Sequence, residues 1–205
     1  FSGREGKFPP AVQWAADLVA PLDRTARWLR SHAEPRIALS GSYRLATAIV
    51  IGWSLRAAIG FELEIPTREG AWATDDRPST SDTVPTWQIA QPTALHGDQL
   101  VISVGILRDP AADLGQTAGV PSEAVLRLFL DEPISSAKTA QAGVSTIKRT
   151  ADAAVARLRP QGIQFYFAGP AAFAVALGHR WNAMPPTQLH EFVIANRGYV
   201  ATAQI

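Results

Sequence analysis

Near the N-terminus, apolar side chains recur at Val12, Ala16, Val19, Leu22, Ala26 and Leu29, close to the period of a helix that buries one face. Pro10 suits the first turn of that helix, and Pro21 should kink or split it before it ends near His32. The period then changes. Residues 36–42 (RIALSGS) form a short apolar strand running into a Ser/Gly turn, and the apolar stretch from about Tyr43 to Ile59 predicts a helix, so the two make a βα unit. Phe61 to Ile65 (FELEI) alternates apolar and polar, which predicts a strand with one solvated face or an edge position. Arg68 to Pro85 has the composition of a polar loop, rich in Asp, Ser, Thr and Pro. Thr86 to Gln91 and Leu100 to Leu107 are the next expected strands. Asp109-Pro110 opens a short helix that ends before Gly119, and Val125 to Leu130 (VLRLFL) is a buried strand.

From Ser136 to Arg159 an Ala-rich stretch carries Val144, Ile147, Ala151, Val155 and Leu158 on one face, an amphipathic helix stopped by Pro160 and Gly162. A second βα unit follows, with strand Ile163 to Ala168, turn Gly169-Pro170 and helix Ala171 to about Ala183. Gln188 to Ile194 and Gly198 to Ala203 close the chain as strands. Laid side by side, residues 37–52 (IALSGSYRLATAIVIG) and 163–178 (IQFYFAGPAAFAVALG) share strand, small-residue turn, apolar helix and a helix glycine. A duplicated α/β unit explains the match, and so does convergent composition. The expected organisation is a linker and helix over 1–35, then one domain over 36–205 made of halves at about 36–120 and 121–205.

Composition narrows the function classes. At 205 residues, 47% apolar and 18% charged, the chain can bury a compact α/β core and is not a disordered segment. Lys and Arg number 19 against 18 Asp and Glu, so there is no polybasic field of the kind that holds long duplexes, while a small anionic ligand held locally stays open. Cysteine is absent, which removes disulfides, thiolate catalysis and cysteine zinc sites and fits a reducing cytoplasm. The longest apolar run, Leu45 to Trp53, is about half as long as a membrane helix and leads into Ser54 and Arg56, so it is a buried helix. FSGREGKFPP lacks a signal-peptide pattern and reads as part of a linker, so an upstream segment is expected. His32, His96, His179 and His190 show no HExxH or i,i+4 pairing, and Gly-x-Ser-x-Gly, Gly-x-Gly-x-x-Gly and the P-loop pattern are missing. Glu62 and Glu64 share a strand face without a lysine at nuclease-like spacing. No catalytic centre, metal or cofactor is therefore expected.

The second half, FYFAGPAAFAVALGHRWNAMPPTQLHEF followed by GYV, resembles the C-terminal half of SAVED domains, the cyclic-oligonucleotide sensors of bacterial CBASS antiphage effectors. The match lies in a strand, an Ala-Gly-Pro turn, an Ala-rich helix with Leu-Gly, and a strand carrying Gln-Leu-x-Glu-Phe. LSGSYRLATAIVIGW fits the corresponding first-half unit, and the similarity runs from about Arg36 onward. The resemblance implies an α/β fold of two fused CARF-like (Rossmann-like) halves with mixed, mainly parallel sheets, and a cyclic di- or trinucleotide bound where the halves meet. It further implies self-association on ligand binding that activates a fused effector, expected to be an HNH DNA endonuclease, with DNA met only through that effector and no membrane partner. A small-molecule or nucleoside hydrolase on a Rossmann-like fold is the alternative reading, and a purely structural interaction domain is a third.

In open α/β sheets ligands sit beyond the carboxyl ends of the strands, and both Ser40-Gly41-Ser42 and Ala168-Gly169-Pro170 lie at such ends. Ser40, Gly41, Ser42 and Tyr43 could offer backbone N–H groups and hydroxyls to a phosphate at a helix N-terminus. They also fit an ordinary helix cap, for which Ser is favoured. Arg44 sits in the first turn, the wrong end for a structural cation, so a nearby anion would rationalise it. Arg68, Trp72 and Arg77 lie in or beside the long loop, where guanidinium groups and an indole could clamp a phosphate and stack on a base, although Trp72 could equally cover the core. Arg108, Lys138 and Lys148 are cations that could reach the same face or remain solvated. Trp181 or His179 could stack on a base, and Trp181 fits equally well packed under the sheet.

Overall fold

The computed structural model describes residues 9–32, 34–68, 70–76, 84–193 and 198–205. The chain opens with helix α1 (Ala11–Trp14), a π-helical turn over Ala15–Val19 and helix α2 (Ala20–His32). The wide turn comes just before Pro21, which has no N–H to give the preceding turn, so the expected kink takes the form of a π-bulge.

Strands β1 (Arg36–Ala38), β2 (Glu62–Thr67) and β3 (Gly70–Ala73) make a three-stranded sheet in which β1 runs parallel and β3 antiparallel to β2. The polar loop expected from Arg68 onward is thus interrupted by β3. Trp72 pairs across to Ile65 and is the one large apolar side chain of a four-residue strand, too short a pattern to be told from loop. Strands β4 (Gln88–Ala90), β5 (Gln99–Ile106), β6 (Val125–Leu130), β7 (Gly162–Ala168), β8 (Thr187–Val193) and β9 (Gly198–Gln204) form a second sheet in the order β4-β6-β5-β7-β8-β9. Its interior strands β6, β5, β7 and β8 are parallel and both edges are antiparallel. Strand β5 is buried on both faces from Leu100 to Ile106, which is why it reads as an apolar run interrupted only by Ser103. Because β5 pairs with both β6 and β7, this sheet crosses the boundary expected near residue 120, and the division between sheets falls between β3 and β4.

Helix α4 (Ala111–Thr117) covers one face of the larger sheet, with Leu114 against Val101, Val125 and Tyr166. The other face carries α5 (Ala137–Leu158), α6 (Ala171–Arg180) and α3 (Leu45–Ser54). Helix α5 touches β5 and β6 on one side and β3 on the other, while α6 touches β2, so these helices lie between the two sheets. Enclosure explains why α3 and α6 are apolar nearly all round. Both helices stop sooner than expected: α3 gives way to a 3₁₀ turn over Ala57–Ile59 that ends at Gly60 with φ +95°, and α6 ends at Arg180. Among the described residues no helix is long and apolar enough to cross a membrane.

The helix glycines of the two repeat units meet each other's helices. A Cβ on Gly52 would stand 2.0 Å from the Val175 carbonyl oxygen, and one on Gly178 would stand 2.1 Å from that of Ile49. Backbone touches backbone at this crossing, and only glycine leaves the room. Beside it, His179 Nε2 donates to the Phe61 carbonyl at 2.9 Å, and burial pushes the imidazole pKa down to about 4.

Candidate ligand site

Strands β1, β2, β6 and β7 release the chain at one end of the molecule, and there a cavity of about 690 Å³ opens between the sheets. Its walls come from four stretches: Gly41 to Tyr43 after β1, Ile65 to Arg68 with Trp72 in the β2–β3 hairpin, Ile134 and Ser135 after β6, and Pro170, Ala171, Ala172 and Val175 at the start of α6. The lining is largely apolar, carries the rings of Tyr43 and Trp72, and holds a single charged side chain among the described residues, Arg68.

Each wall has a local cause. Gly41, at φ +117°, turns the loop so that the Tyr43 hydroxyl folds back and donates to the Ser40 carbonyl. Trp72 is fixed by its pairing opposite Ile65 and is 9% exposed. Arg68 lies exposed at the hairpin tip and forms no ion pair with a described residue, in contrast to Arg36, which is held by Glu62, Glu64 and Asp75. Ser136 caps α5, its Oγ accepting from the Thr139 N–H at 3.1 Å. Pro170 opens α6 in extended conformation and gives no side-chain cap, and with Ala171 and Ala172 it brings the N-terminal end of α6, the positive end of the helix dipole, to the cavity wall.

Helix α3 is built differently. Arg44 stands at its N-cap position and does not cap it, and neither Ser40 nor Ser42 does. The acceptor comes from β8, where Glu191 Oε2 takes the Ala46 N–H at 3.2 Å and Oε1 lies 3.8 Å from Arg44 Nη1. The anion that rationalises Arg44 is therefore a carboxylate of the same chain. Burial raises the pKa of Glu191, and the Ala46 amide, the Arg44 charge and the Leu45 amide pull it back.

Of the expected residues, Gly41, Ser42, Tyr43, Arg68, Trp72 and Pro170 meet in the cavity lining, with Ser40 tied behind them through Tyr43. The rest lie elsewhere. Gly169 is packed too tightly to carry a side chain, since a Cβ would stand 2.9 Å from Phe167 Cζ and 3.2 Å from Ile106 Cδ1. Arg108 is engaged by Asp113 at 2.9 Å and lies over the Phe192 ring. Lys138 is exposed on the first turn of α5 and outside the lining, and Lys148 pairs with Asp152. Trp181 is a core residue: it is 3% exposed, its Nε1 donates to Thr187 Oγ1 at 3.0 Å, and its ring meets the edge of Phe165. His179 is likewise buried, and Arg77 lies outside the described residues.

Ile65, Pro66, Thr67, Ile134, Ser135, Ala171, Ala172 and Val175 line the cavity without having been singled out in the sequence. Ser135 had a readable signal, because Ser135-Ser136 between an apolar strand and an Ala-rich helix repeats the small-residue turns at 40–42 and 168–170. Among the described residues no group of three or more His, Asp or Glu is placed to hold a metal ion.

A mixed α/β domain with its cavity at the carboxyl ends of parallel strands, lined by apolar groups, two rings and one cation, has the build of a small-molecule binding module. The chain belongs to the SAVED family, whose model, described as "SMODS-associated and fused to various effectors sensor domain", matches residues 21–205. In fold it is similar to the Acinetobacter baumannii Cap4 SAVED/CARF-domain containing receptor with the cyclic trinucleotide 3'3'3'-cAAA, at TM-score 0.86 and 21% identity, over 100% of this chain and 46% of that one. The same receptor with 2'3'3'-cAAA gives 0.83 and 22%, over 96% and 44%. The Moraxella osloensis Cap4 receptor gives 0.77 and 21%, over 95% and 42%. The chain thus spans less than half the length of these receptors. No curated protein matches it in sequence.

Proposed function

We propose that this chain is a sensor module that binds a cyclic oligonucleotide of two or three units in the cavity between the sheets. The observation that carries the reading is the pairing, in one apolar cavity, of Arg68 and the uncapped N-terminus of α6 with the rings of Tyr43 and Trp72. Phosphodiester oxygens are anions that charge-assisted N–H donors hold well, and bases stack on aromatic faces. The similar receptors described with cyclic trinucleotides support the larger ring. A panel of cyclic di- and trinucleotides in calorimetry and thermal shift tests the proposal. A ligand at ~100 times its dissociation constant should stabilise the native chain by ~2.7 kcal/mol. Arg68→Ala should cost about tenfold in affinity, the loss of one hydrogen bond to a charged group, and leave the unliganded melting temperature unchanged. Absence of stabilisation of the wild-type chain by every member of the panel overturns the reading.

Occupancy is relayed, in this reading, by self-association that activates a fused effector, and the family description "fused to various effectors" supports the presence of an effector. The effector we assign is an HNH DNA endonuclease acting in the cytoplasm, so that DNA is handled outside residues 1–205. We read the βα units ending in Gly52 and Gly178 as the cores of two duplicated halves. Association requires that the assembled state bind ligand more tightly than the free one. Sedimentation of the full-length protein with and without nucleotide decides it, an unchanged mass at saturation being the adverse result.

A further inference from the structure

One wall of the cavity hangs on a carboxylate from the other sheet. The loop Gly41 to Tyr43 ends at Arg44, and the first turn of α3 has no side-chain cap of its own. Its amides start inside the protein, Ala46 being 2% exposed, where an unpaired N–H is costly. Glu191 of β8, itself 8% exposed, supplies the acceptor across 145 residues of chain and places its other oxygen beside Arg44. A serine or aspartate at position 44 would satisfy the same amides locally. A residue of β8 does more than cap: it fastens the start of α3 to the larger sheet, where β8 pairs with β7 and β7 leads into Pro170 on the opposite wall.

We infer that Glu191 is a positioning residue of the ligand site: it seats the N-terminus of α3 on β8 and thereby sets where Gly41, Ser42 and Tyr43 stand relative to Pro170. Glu191 lies outside the cavity lining. The inference rests on the cyclic-oligonucleotide reading given above.

The test compares Glu191→Ala, Glu191→Gln and the double variant Glu191→Ala/Arg44→Asp in calorimetry with 3'3'3'-linked cyclic triadenylate, in thermal melting, and in amide hydrogen exchange without ligand. Glu191→Ala should weaken binding about tenfold and speed exchange of residues 41–46, and Glu191→Gln, which keeps an acceptor for the Ala46 N–H, should stay within about threefold of wild type. The double variant restores an acceptor in cis at the N-cap, so its melting temperature should recover while its affinity stays low. Recovery of wild-type affinity in the double variant, or wild-type affinity in Glu191→Ala, overturns the inference by reducing Glu191 to a helix cap. If wild-type protein binds no cyclic oligonucleotide, the ligand reading fails. Exchange then decides the positioning role: unchanged exchange at 41–46 in Glu191→Ala overturns it, and selective acceleration there with α5 unaffected supports it.

Discussion

Replacing either crossing glycine by alanine should destabilise the protein, although alanine is the better helix former. Ordinary contact for a Cβ begins near 3.4 Å, so a methyl on Gly52 standing 2.0 Å from the Val175 oxygen requires α3 and α6 to part by about 1.4 Å, and Gly178 requires nearly as much. The obstructing atoms are backbone, so no rotamer change relieves them. Overpacking costs 1–3 kcal/mol in typical cores and here belongs at or beyond the upper end, against about 1 kcal/mol returned by helix propensity. The expected net loss is about 2 kcal/mol for Gly52→Ala and for Gly178→Ala, or about 4–8 °C in melting temperature for a chain of this size. Because one separation of the helices makes room for both methyls, the double variant should lose markedly less than the sum of the single ones. Gly115 of α4 is the internal control: a Cβ there meets only the Val120 oxygen at 3.8 Å, so Gly115→Ala should be neutral or stabilising. Urea denaturation with matched slopes, alongside thermal melting, measures all four variants. If Gly52→Ala and Gly178→Ala behave like Gly115→Ala, the backbone contact between the repeat helices is wrong.

Burial holds His179 and His190 near pKa 4 instead of 6.5. Between those values the unfolded chain binds more protons, so their contribution to stability is complete above the unfolded pKa and is lost as pH falls through this window. Denaturation midpoints at about pH 7 and about pH 5 should therefore differ, and His190→Gln should narrow the gap; an unchanged gap refutes the assignment. Ser136→Ala removes the acceptor for the Thr139 amide and should cost about 1 kcal/mol of stability, and a melting curve matching wild type would show that α5 does not need its cap.

The parts of this fold that can be read in the sequence are those whose apolar pattern is long against the noise. From Leu100 and from Ile163, strands β5 and β7 are apolar runs interrupted only at Ser103 and Gln164, and α5 carries its face through a stretch that starts at a serine cap and ends before Pro160. Strand β3 offers one large apolar side chain in four positions and hides in the loop. Of the cavity residues that could be anticipated, Gly41 to Tyr43 and Pro170 sit in turns directly after parallel strands, where the chemistry of ligand binding and the chemistry of turning coincide, while Arg68 and Trp72 are legible from side-chain type alone, a cation and an indole in or beside a polar loop. Arg44, Arg108 and Trp181 carry the right functional groups, and their employment by Glu191, by Asp113 and Phe192, and by Thr187 depends on contacts that no local pattern encodes.

The four stretches that wall the cavity reach from Gly41 to Val175, and none of them encloses space alone. Loops of that span close late, because the chain surrenders their entropy before any contact between them repays it. The cavity accordingly exists only once stretches far apart in the chain have been brought together. A half-folded chain therefore holds pieces of the walls and no enclosed space. By the same coupling, a ligand held between those walls would oppose global unfolding more than it would stiffen any one loop, so occupancy would be read first as a longer-lived fold.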